Sequence, residues 1–207
     1  MTEPAATGGR LVLATGNLGK LSEIRAILAP YQWAVHAQSE WAVPEAVEDG
    51  LSFIENALIK ARHAARHTGL PALGDDSGLV VVALQGEPGI HSARFAGPAA
   101  SAADNNRKLL AALENVSGTE RGAHFYCAMA LLRHAEDPAP MIATGLWRGE
   151  ILRSPSGSGG FGYDPLFYVP AQGCSAAELA PGIKNRLSHR AQALAALVEQ
   201  MLREHGA

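Results

Sequence analysis

Long apolar runs, abundant cysteine and a strong charge of either sign are all missing from this 207-residue chain. No stretch is apolar over the roughly 20 positions that a membrane-spanning helix needs, and the first residues lack the apolar core of a signal peptide. A formal charge of −3 argues against a protein that coats nucleic acid. Composition therefore predicts a cytoplasmic globular protein whose partners include neither a membrane nor a nucleic acid polymer.

Two cysteines are too few for a disulfide framework. Cys127 lies in an apolar, strand-like stretch and Cys174 in a Gly-Cys-Ser loop, and neither has the spacing of a metal ligand. We expect both to be free thiols in a reducing compartment.

The composition supports one large core, since 47% of the residues are hydrophobic. No repeat, low-complexity tract or linker divides the chain. We expect a flexible leader over residues 1–9 and, over residues 10–207, one large domain or two closely joined lobes.

The order of predicted elements indicates an α/β fold with a mixed sheet. An apolar strand at 10–14 precedes a helix, and a capping box at Ser52 begins a second helix that ends at Gly69. Later, alternating stretches at 123–132 and 141–153 flank a proline-containing turn and predict a hairpin. βα units followed by a hairpin favour a mixed sheet over a purely parallel one.

The loop at residues 15–20 joins the first strand to the first helix and suits an anion such as phosphate. Backbone N–H groups and the positive end of the helix point at such a junction, and Thr15, Asn17 and Lys20 can add donors. Ala14 and Leu21 stand where a Walker A motif needs glycine and a hydroxyl residue, so that motif is absent. A plain βα turn with a solvated lysine is the alternative.

Two adjacent carboxylates, Asp75 and Asp76, precede Ser77 between glycines and a valine run. The valines predict a buried strand, and we expect the acidic residues to form a turn at its end. An ordinary turn explains the residue types. It explains the paired carboxylates less well, because a cation would relieve their repulsion. Lys60 lies on the predicted second helix and Glu48 in the loop before it. From the residues alone, each could equally be an ordinary solvated surface residue.

The segment 156–168 is rich in glycine and aromatic residues. Phe161 lies between two glycines and can offer a flat face to a planar ligand, while Asp164 can accept a hydrogen bond beside it. A glycine turn leading into an aromatic strand is the alternative.

The last helix is predicted to begin after Ser188 as its N-cap, which places His189 and Arg190 in its first turn. Cations are disfavoured there by the helix dipole, so these two residues indicate an acceptor-bearing ligand or, alternatively, simple solvation.

Taken together, these segments resemble the inosine/xanthosine triphosphate pyrophosphatases. The matching motifs occur in family order and cover nearly the whole chain beyond the leader; they lie at 15–20, 53–61, 75–79, 88–94, 159–167 and 188–190. The resemblance implies a single two-lobed domain over residues 10–207, with an elongated mixed sheet flanked by helices and an active-site cleft between the two lobes, and usually a homodimer.

The resemblance also implies a Mg²⁺-dependent hydrolysis between the α and β phosphates of ITP, dITP or XTP, which yields the monophosphate and pyrophosphate and cleanses the nucleotide pool. Asp76 would be the catalytic residue and a metal ligand. Glu48 corresponds to the second metal position, although its neighbour Asp49 stays open as the ligand because the motif departs from the usual paired glutamates. Substrate would contact Thr15, Gly16, Asn17, Leu18, Gly19, Lys20, Lys60, Ser77, Phe161, Gly162, Tyr163, Asp164, Lys184, His189 and Arg190.

Two other hypotheses remain open from the sequence. A pyrophosphatase acting on modified pyrimidine nucleotides would share the phosphate chemistry but need a different base pocket. A nucleotide-binding sensor would bind without turnover, although adjacent carboxylates near a triphosphate are unfavourable without a metal.

Overall fold

The computed structural model describes residues 9–205. Apart from Gly9, the predicted leader lies outside these described residues. This described part of the chain contains seven strands: β1 Arg10–Ala14, β2 Ala34–Ala37, β3 Ala72–Val81, β4 Gly122–Leu132, β5 Met141–Ile151, β6 Phe167–Val169 and β7 Cys174–Ser175. The α-helices are α1 Leu18–Leu28, α2 Phe53–Thr68, α3 Ala102–Ala112, α4 Pro181–Leu187 and α5 His189–His205.

The strands form one sheet in the order β2-β1-β3-β4-β5-β6-β7. β1 pairs in parallel with both β2 and β3, whereas β6 pairs antiparallel with β5 and β7. The connection at 133–140 between neighbouring strands β4 and β5 is too short for a parallel crossover, so these strands make the predicted hairpin. The expected mixed α/β sheet is confirmed.

The chain divides into two compact units, and each has its own apolar core. Unit 1 comprises Met1–Asp76, Cys127–Gly145 and Arg190–Ala207, and unit 2 comprises Ser77–Tyr126 and Leu146–His189. In unit 1, apolar side chains of β1, α1, β4 and α5 pack together, and those of α2 pack on β1 in a second cluster. The core of unit 2 is richer in aromatic residues and includes Phe125, Trp147 and Phe167.

The first three α-helices begin at residues whose side chains cap them, and the cap at Ser52 was predicted. Asn17 caps α1, Ser52 caps α2 by accepting from the Glu55 N–H, and Ser101 forms a capping box with Asp104 at α3. Ser175 and Glu178 have the spacing of another capping box. The Ser175 N–H donates to Glu178 Oε2 in a turn after β7, however, and no helix begins there.

The prediction that the acidic pair lies in a turn at a strand end is wrong. Asp75, Asp76 and Ser77 lie inside β3, which continues from Ala72 to Val81. Gly74 lets α2 pack closely on this strand, since a Cβ there would lie 2.0 Å from the Ala57 carbonyl oxygen. Buried charges in a strand are tolerated only with partners, and this strand has them.

Among residues 9–205, no helix is both long enough and apolar enough to cross a membrane.

Candidate active site

Asp75 lies at the centre of a buried charge cluster in unit 1. The residue is 1% exposed, and its carboxylate accepts hydrogen bonds from the Lys20 ammonium and, at 3.1 Å, from Arg190 Nε. Burial raises the pKa of the Asp75 carboxyl, but Lys20 and Arg190 outweigh burial and hold that pKa well below its usual range. Asp75 therefore stays ionised and fixes two cations from distant parts of the chain.

Two further side chains complete the cluster. Arg190 Nη1 donates to Glu23 Oε2 at 2.5 Å, and Cys127 Sγ donates to Asp75 Oδ2 at 3.2 Å. Burial and the adjacent carboxylate raise the pKa of the Cys127 thiol, so the thiol keeps the proton that it donates. The free-thiol prediction for both cysteines is confirmed.

Asp76 has different surroundings, although it is the next residue. Lys60 Nζ on α2 lies 2.7 Å from Asp76 Oδ1, and Asn56 Nδ2 donates to Asp76 Oδ2 at 3.4 Å. Burial is the largest influence on Asp76 and raises the pKa of its carboxyl, although Lys60 acts in the opposite direction. This carboxylate is consequently the more basic of the adjacent pair.

Lys60 also reaches the acidic loop that precedes α2. Its ammonium lies 3.3 Å from Glu48 Oε2, so one cation contacts Glu48 and Asp76 together. Burial lowers the pKa of Lys60, but Asp76 and Glu48 outweigh burial and raise it. The lysine is therefore charged and mostly buried, and its solvated alternative does not hold. Asp49 is exposed.

The donor set formed by Asp76 and Glu48 fits a hard divalent cation. Both offer carboxylate oxygens, which Mg²⁺ prefers, and both reach the single cationic atom of Lys60. Two carboxylates are only part of an octahedral shell, and phosphate oxygens and water usually supply the rest. Within residues 9–205, no group of three or more His, Cys, Asp or Glu side chains is arranged around one point.

The loop at residues 15–20 joins β1 to the first turn of α1. Asn17 Oδ1 accepts from the backbone N–H groups of Gly19 and Lys20, and Thr15 Oγ1 accepts from the Asn17 N–H. Leu18 and the loop residues around it are exposed. The predicted strand-loop-helix junction is present. The Asn17 side chain occupies the backbone N–H groups of Gly19 and Lys20, so these two hydrogen bonds must break before the N–H groups can bind a phosphate.

In unit 2, Asp164 organises the glycine-aromatic loop. Asp164 Oδ2 accepts from the Phe161 N–H at 2.7 Å and from Lys184 Nζ at 2.6 Å. Lys184 Nζ also lies 4.5 Å from the centre of the Phe161 ring, which is 43% exposed. Gly160 has φ +71°, and a Cβ there would lie 2.2 Å from Asp164 Oδ2. Only glycine lets this loop fold around the carboxylate.

Two further hydrogen bonds within unit 2 hold the same loop. Tyr163 donates to the Ser92 carbonyl at 2.9 Å, and Asn106 on α3 donates to the Gly162 carbonyl at 3.1 Å. His189 stacks on Phe125 with ring centres 4.9 Å apart. The loop presents the partly exposed ring of Phe161 on a fixed backbone, and the buried ammonium of Lys184 lies beside this ring.

The structure groups the predicted residues into three clusters. Lys60, Asp76 and Glu48 meet in unit 1, where Lys20 and Arg190 meet at Asp75. In unit 2 the loop contains Phe161, Gly162, Tyr163 and Asp164, with Lys184 beside it. Ser77 begins the part of β3 that belongs to unit 2. Arg190 is predicted to touch the base, and the contacts seen for its guanidinium are with carboxylates of unit 1.

Sequence reasoning missed the supporting residues Asn56, Glu23 and Asn106. Asn56 is fully buried on α2, whose other buried residues are all alanines. A lone amide among the apolar residues of a buried helix face indicates a polar partner in the interior. Glu23 and Asn106 occupy helix positions that carry no comparable signal.

The fold and these clusters define an α/β protein equipped to bind an anionic ligand near paired carboxylates. A family model described as the Ham1 family matches residues 11–200, and the chain belongs to that family. It is 55% identical over 192 residues to the dITP/XTP pyrophosphatase of Thioalkalivibrio sulfidiphilus, with 93% of this chain and 98% of that protein covered.

Solved structures agree with this assignment. A HAM1 protein from Coxiella burnetii matches with a TM-score of 0.87 and 47% identity, covering 96% of this chain and 99% of that one. A nucleoside-triphosphatase, also titled dITP/XTP pyrophosphatase, from Mycobacterium abscessus matches with a TM-score of 0.75 and 40% identity, covering 93% of this chain and 100% of that one.

Proposed function

We propose that this protein hydrolyses nonstandard purine nucleoside triphosphates, namely ITP, dITP and XTP, to the monophosphate and pyrophosphate. The observation that carries the proposal is Asp76, a buried carboxylate of raised pKa held by Lys60 and Asn56 beside the ionised Asp75. The names of the Thioalkalivibrio and Mycobacterium relatives support the same reaction.

Asp76 and Glu48 would hold a divalent cation, with Mg²⁺ as our specific proposal. When bound, such an ion offsets the charge of the triphosphate and lowers the pKa of a bound water. Glu48 is preferred over Asp49 because the Glu48 carboxylate shares Lys60 with Asp76, whereas Asp49 is exposed.

Asp76 would accept the proton of the water that attacks phosphorus. A carboxylate of raised pKa is a better general base at neutral pH than an ordinary aspartate. Asn56 and Lys60 orient this carboxylate from two sides. No covalent nucleophile is needed, so Ser77 is proposed to contact substrate only.

The lysines would bind the phosphates and stabilise the pyrophosphate leaving group. Lys20 and Lys60 each form an ion pair with a carboxylate before substrate arrives. Residues 15–19 would add backbone and side-chain donors from the start of α1. Binding therefore requires exchange of these ion pairs for phosphate contacts.

The loop of unit 2 would bind the base. Phe161 offers a stacking face, and Lys184 is a donor for the 6-oxo group that hypoxanthine and xanthine carry. Adenine presents a 6-amino donor instead, which would leave a buried donor unpaired. His189 and Arg190, at the start of α5, are proposed to complete the recognition.

Product analysis tests this proposal. The full chain is incubated with ITP, XTP, GTP or ATP, with Mg²⁺ or with a chelator, and pyrophosphate is separated from orthophosphate. We expect pyrophosphate from ITP and XTP, little from GTP or ATP, and none with the chelator. Orthophosphate as the product, binding without turnover, or a preference for modified pyrimidine nucleotides would contradict the proposal.

We also propose that the protein acts in the cytoplasm as a homodimer. The absence of a disulfide between the two thiols is consistent with a reducing compartment, and the family resemblance supports the dimer. Light scattering of the purified chain measures its mass in solution, and a monomer at all concentrations would contradict the proposed homodimer.

A further inference from the structure

A pair of histidines on α2 lies outside the clusters described above. His63 and His67 are four residues apart, and their ring centres are 4.3 Å apart at an interplanar angle of 46°. His67 is exposed, and His63 is partly exposed. Side chains four positions apart share one face of a helix, so both imidazoles open to the same region of solvent.

Backbone carbonyl groups fix which nitrogen of each ring carries the proton. His63 Nε2 lies 2.9 Å from the Pro44 carbonyl oxygen, and His67 Nδ1 lies 2.9 Å from the His63 carbonyl oxygen. A carbonyl only accepts, so these two nitrogens are the donors. The neutral rings therefore keep a lone pair on His63 Nδ1 and on His67 Nε2.

Each ring thus has the hydrogen-bonded N–H and the lone pair that a metal-ligating imidazole usually has. A histidine ligand usually donates its other ring N–H to a carbonyl or carboxylate, which fixes the tautomer and the ring orientation. With metal–nitrogen bonds of about 2.0–2.1 Å, two rings at adjacent positions about 90° apart have centres roughly 4.5 Å apart, whereas the tetrahedral angle of a Zn²⁺ site gives roughly 5.2 Å. The observed 4.3 Å is close to the first of these separations.

We propose that His63 and His67 form a surface site for a divalent transition-metal ion that favours ligands about 90° apart, such as Cu²⁺ or Ni²⁺. Two imidazoles supply part of the coordination shell, and water supplies the rest. The site differs from the carboxylate pair in its chemistry, because imidazole selects these ions whereas carboxylate oxygens suit Mg²⁺. The inference is independent of the proposed catalytic function.

The partner of His63 gives the site a local structural consequence. Pro44 begins the acidic loop that contains Glu48, and the His63–Pro44 hydrogen bond attaches that loop to α2. A metal on His63 Nδ1 leaves the Nε2–H donor in place, so the attachment persists in the metal-bound protein.

Titration calorimetry of the untagged full chain with Ni²⁺, in excess Mg²⁺, tests the site. We expect one equivalent to bind, and His63→Ala or His67→Ala to weaken binding at least about tenfold. Arg66→Ala, on the same exposed helix surface, and His134→Ala, an exposed histidine elsewhere, are controls that should bind as the wild type does. Circular dichroism checks that each variant is folded.

The order of affinities and the ligand atoms give a second readout. Cu²⁺ should bind more tightly than Ni²⁺, as the usual order for nitrogen sites requires, and its electron paramagnetic resonance spectrum should show two coupled nitrogens. Binding that survives both histidine substitutions, or is lost in His134→Ala, or a Cu²⁺ spectrum without nitrogen coupling, would overturn the proposal.

Discussion

Asp75 and Asp76 are neighbours in one strand, yet their surroundings have opposite effects. Two cations and a thiol donate to Asp75, and its pKa is lowered despite complete burial. Asp76 shares its one lysine with Glu48, and burial prevails in raising its pKa. In this pair, the carboxylate with more cationic contacts has the lowered pKa, and the carboxylate on which burial prevails has the raised pKa.

The largest expected effect is that of Asp76→Asn on turnover. The amide keeps the shape of the side chain but accepts no proton, so kcat should fall by about 10²–10⁴-fold, the usual contribution of a general base. Measurement of pyrophosphate release from ITP checks this, with nucleotide binding followed by calorimetry as the control. Unimpaired turnover would remove Asp76 from the mechanism.

Asp75→Asn should act first on stability. Removal of this charge leaves Lys20 and Arg190 buried without their shared carboxylate, and breaking a buried ion pair typically costs about 3–5 kcal/mol. Urea unfolding of the variant and of Asp76→Asn compares the neighbours directly. Equal losses from the two substitutions would contradict the division of roles.

The contribution of the Asp75 carboxylate to the free energy of unfolding should depend on pH. Because the pKa of Asp75 is lowered in the folded protein, its stabilisation is complete above the unfolded-state pKa of about 3.9 and is lost as pH falls from there toward the folded pKa. The difference in unfolding free energy between wild type and Asp75→Asn should therefore stay constant from neutral pH to about pH 5 and shrink below about pH 4. A difference that already shrinks near neutral pH would contradict this.

Phe161→Ala should separate substrate binding from chemistry. Stacking of a base on an aromatic ring contributes about 1–3 kcal/mol, so KM for ITP should rise while kcat changes little. Phe161→Tyr, which keeps the stacking face, is the matched control. A fall in kcat with unchanged KM would place this loop in the chemical step.

Tyr163→Phe should have the smallest effect. The variant loses one buried hydrogen bond to the Ser92 carbonyl, which is typically a net loss of about 0.5–1.5 kcal/mol. Burial raises the pKa of Tyr163, so its hydroxyl stays a neutral donor and the loss should not vary between acidic and neutral pH. Urea unfolding of Tyr163→Phe at acidic and at neutral pH checks that its loss of stability is constant, whereas the loss in Asp75→Asn should vary with pH.

Local patterns were sufficient for much of the fold and for part of the site. The strand-loop-helix junction at 15–20, the helix after Ser52 and the hairpin depend on neighbouring residues, and all three were predicted. The position of Asp75 inside a strand was not, because its partner Arg190 lies 115 residues away in sequence. Asp75 can lie in a buried strand because Lys20 and Arg190, both distant in sequence, compensate its charge.

The most direct test of the division between the two aspartates is a titration of the metal-free protein, followed by NMR of ¹³C-labelled aspartate carboxyl groups, with Asp75→Asn and Asp76→Asn to assign the signals. We predict that the Asp76 carboxyl protonates above the usual aspartate value and that the Asp75 carboxyl remains ionised to well below it. Protonation of Asp75 before Asp76 would contradict the account.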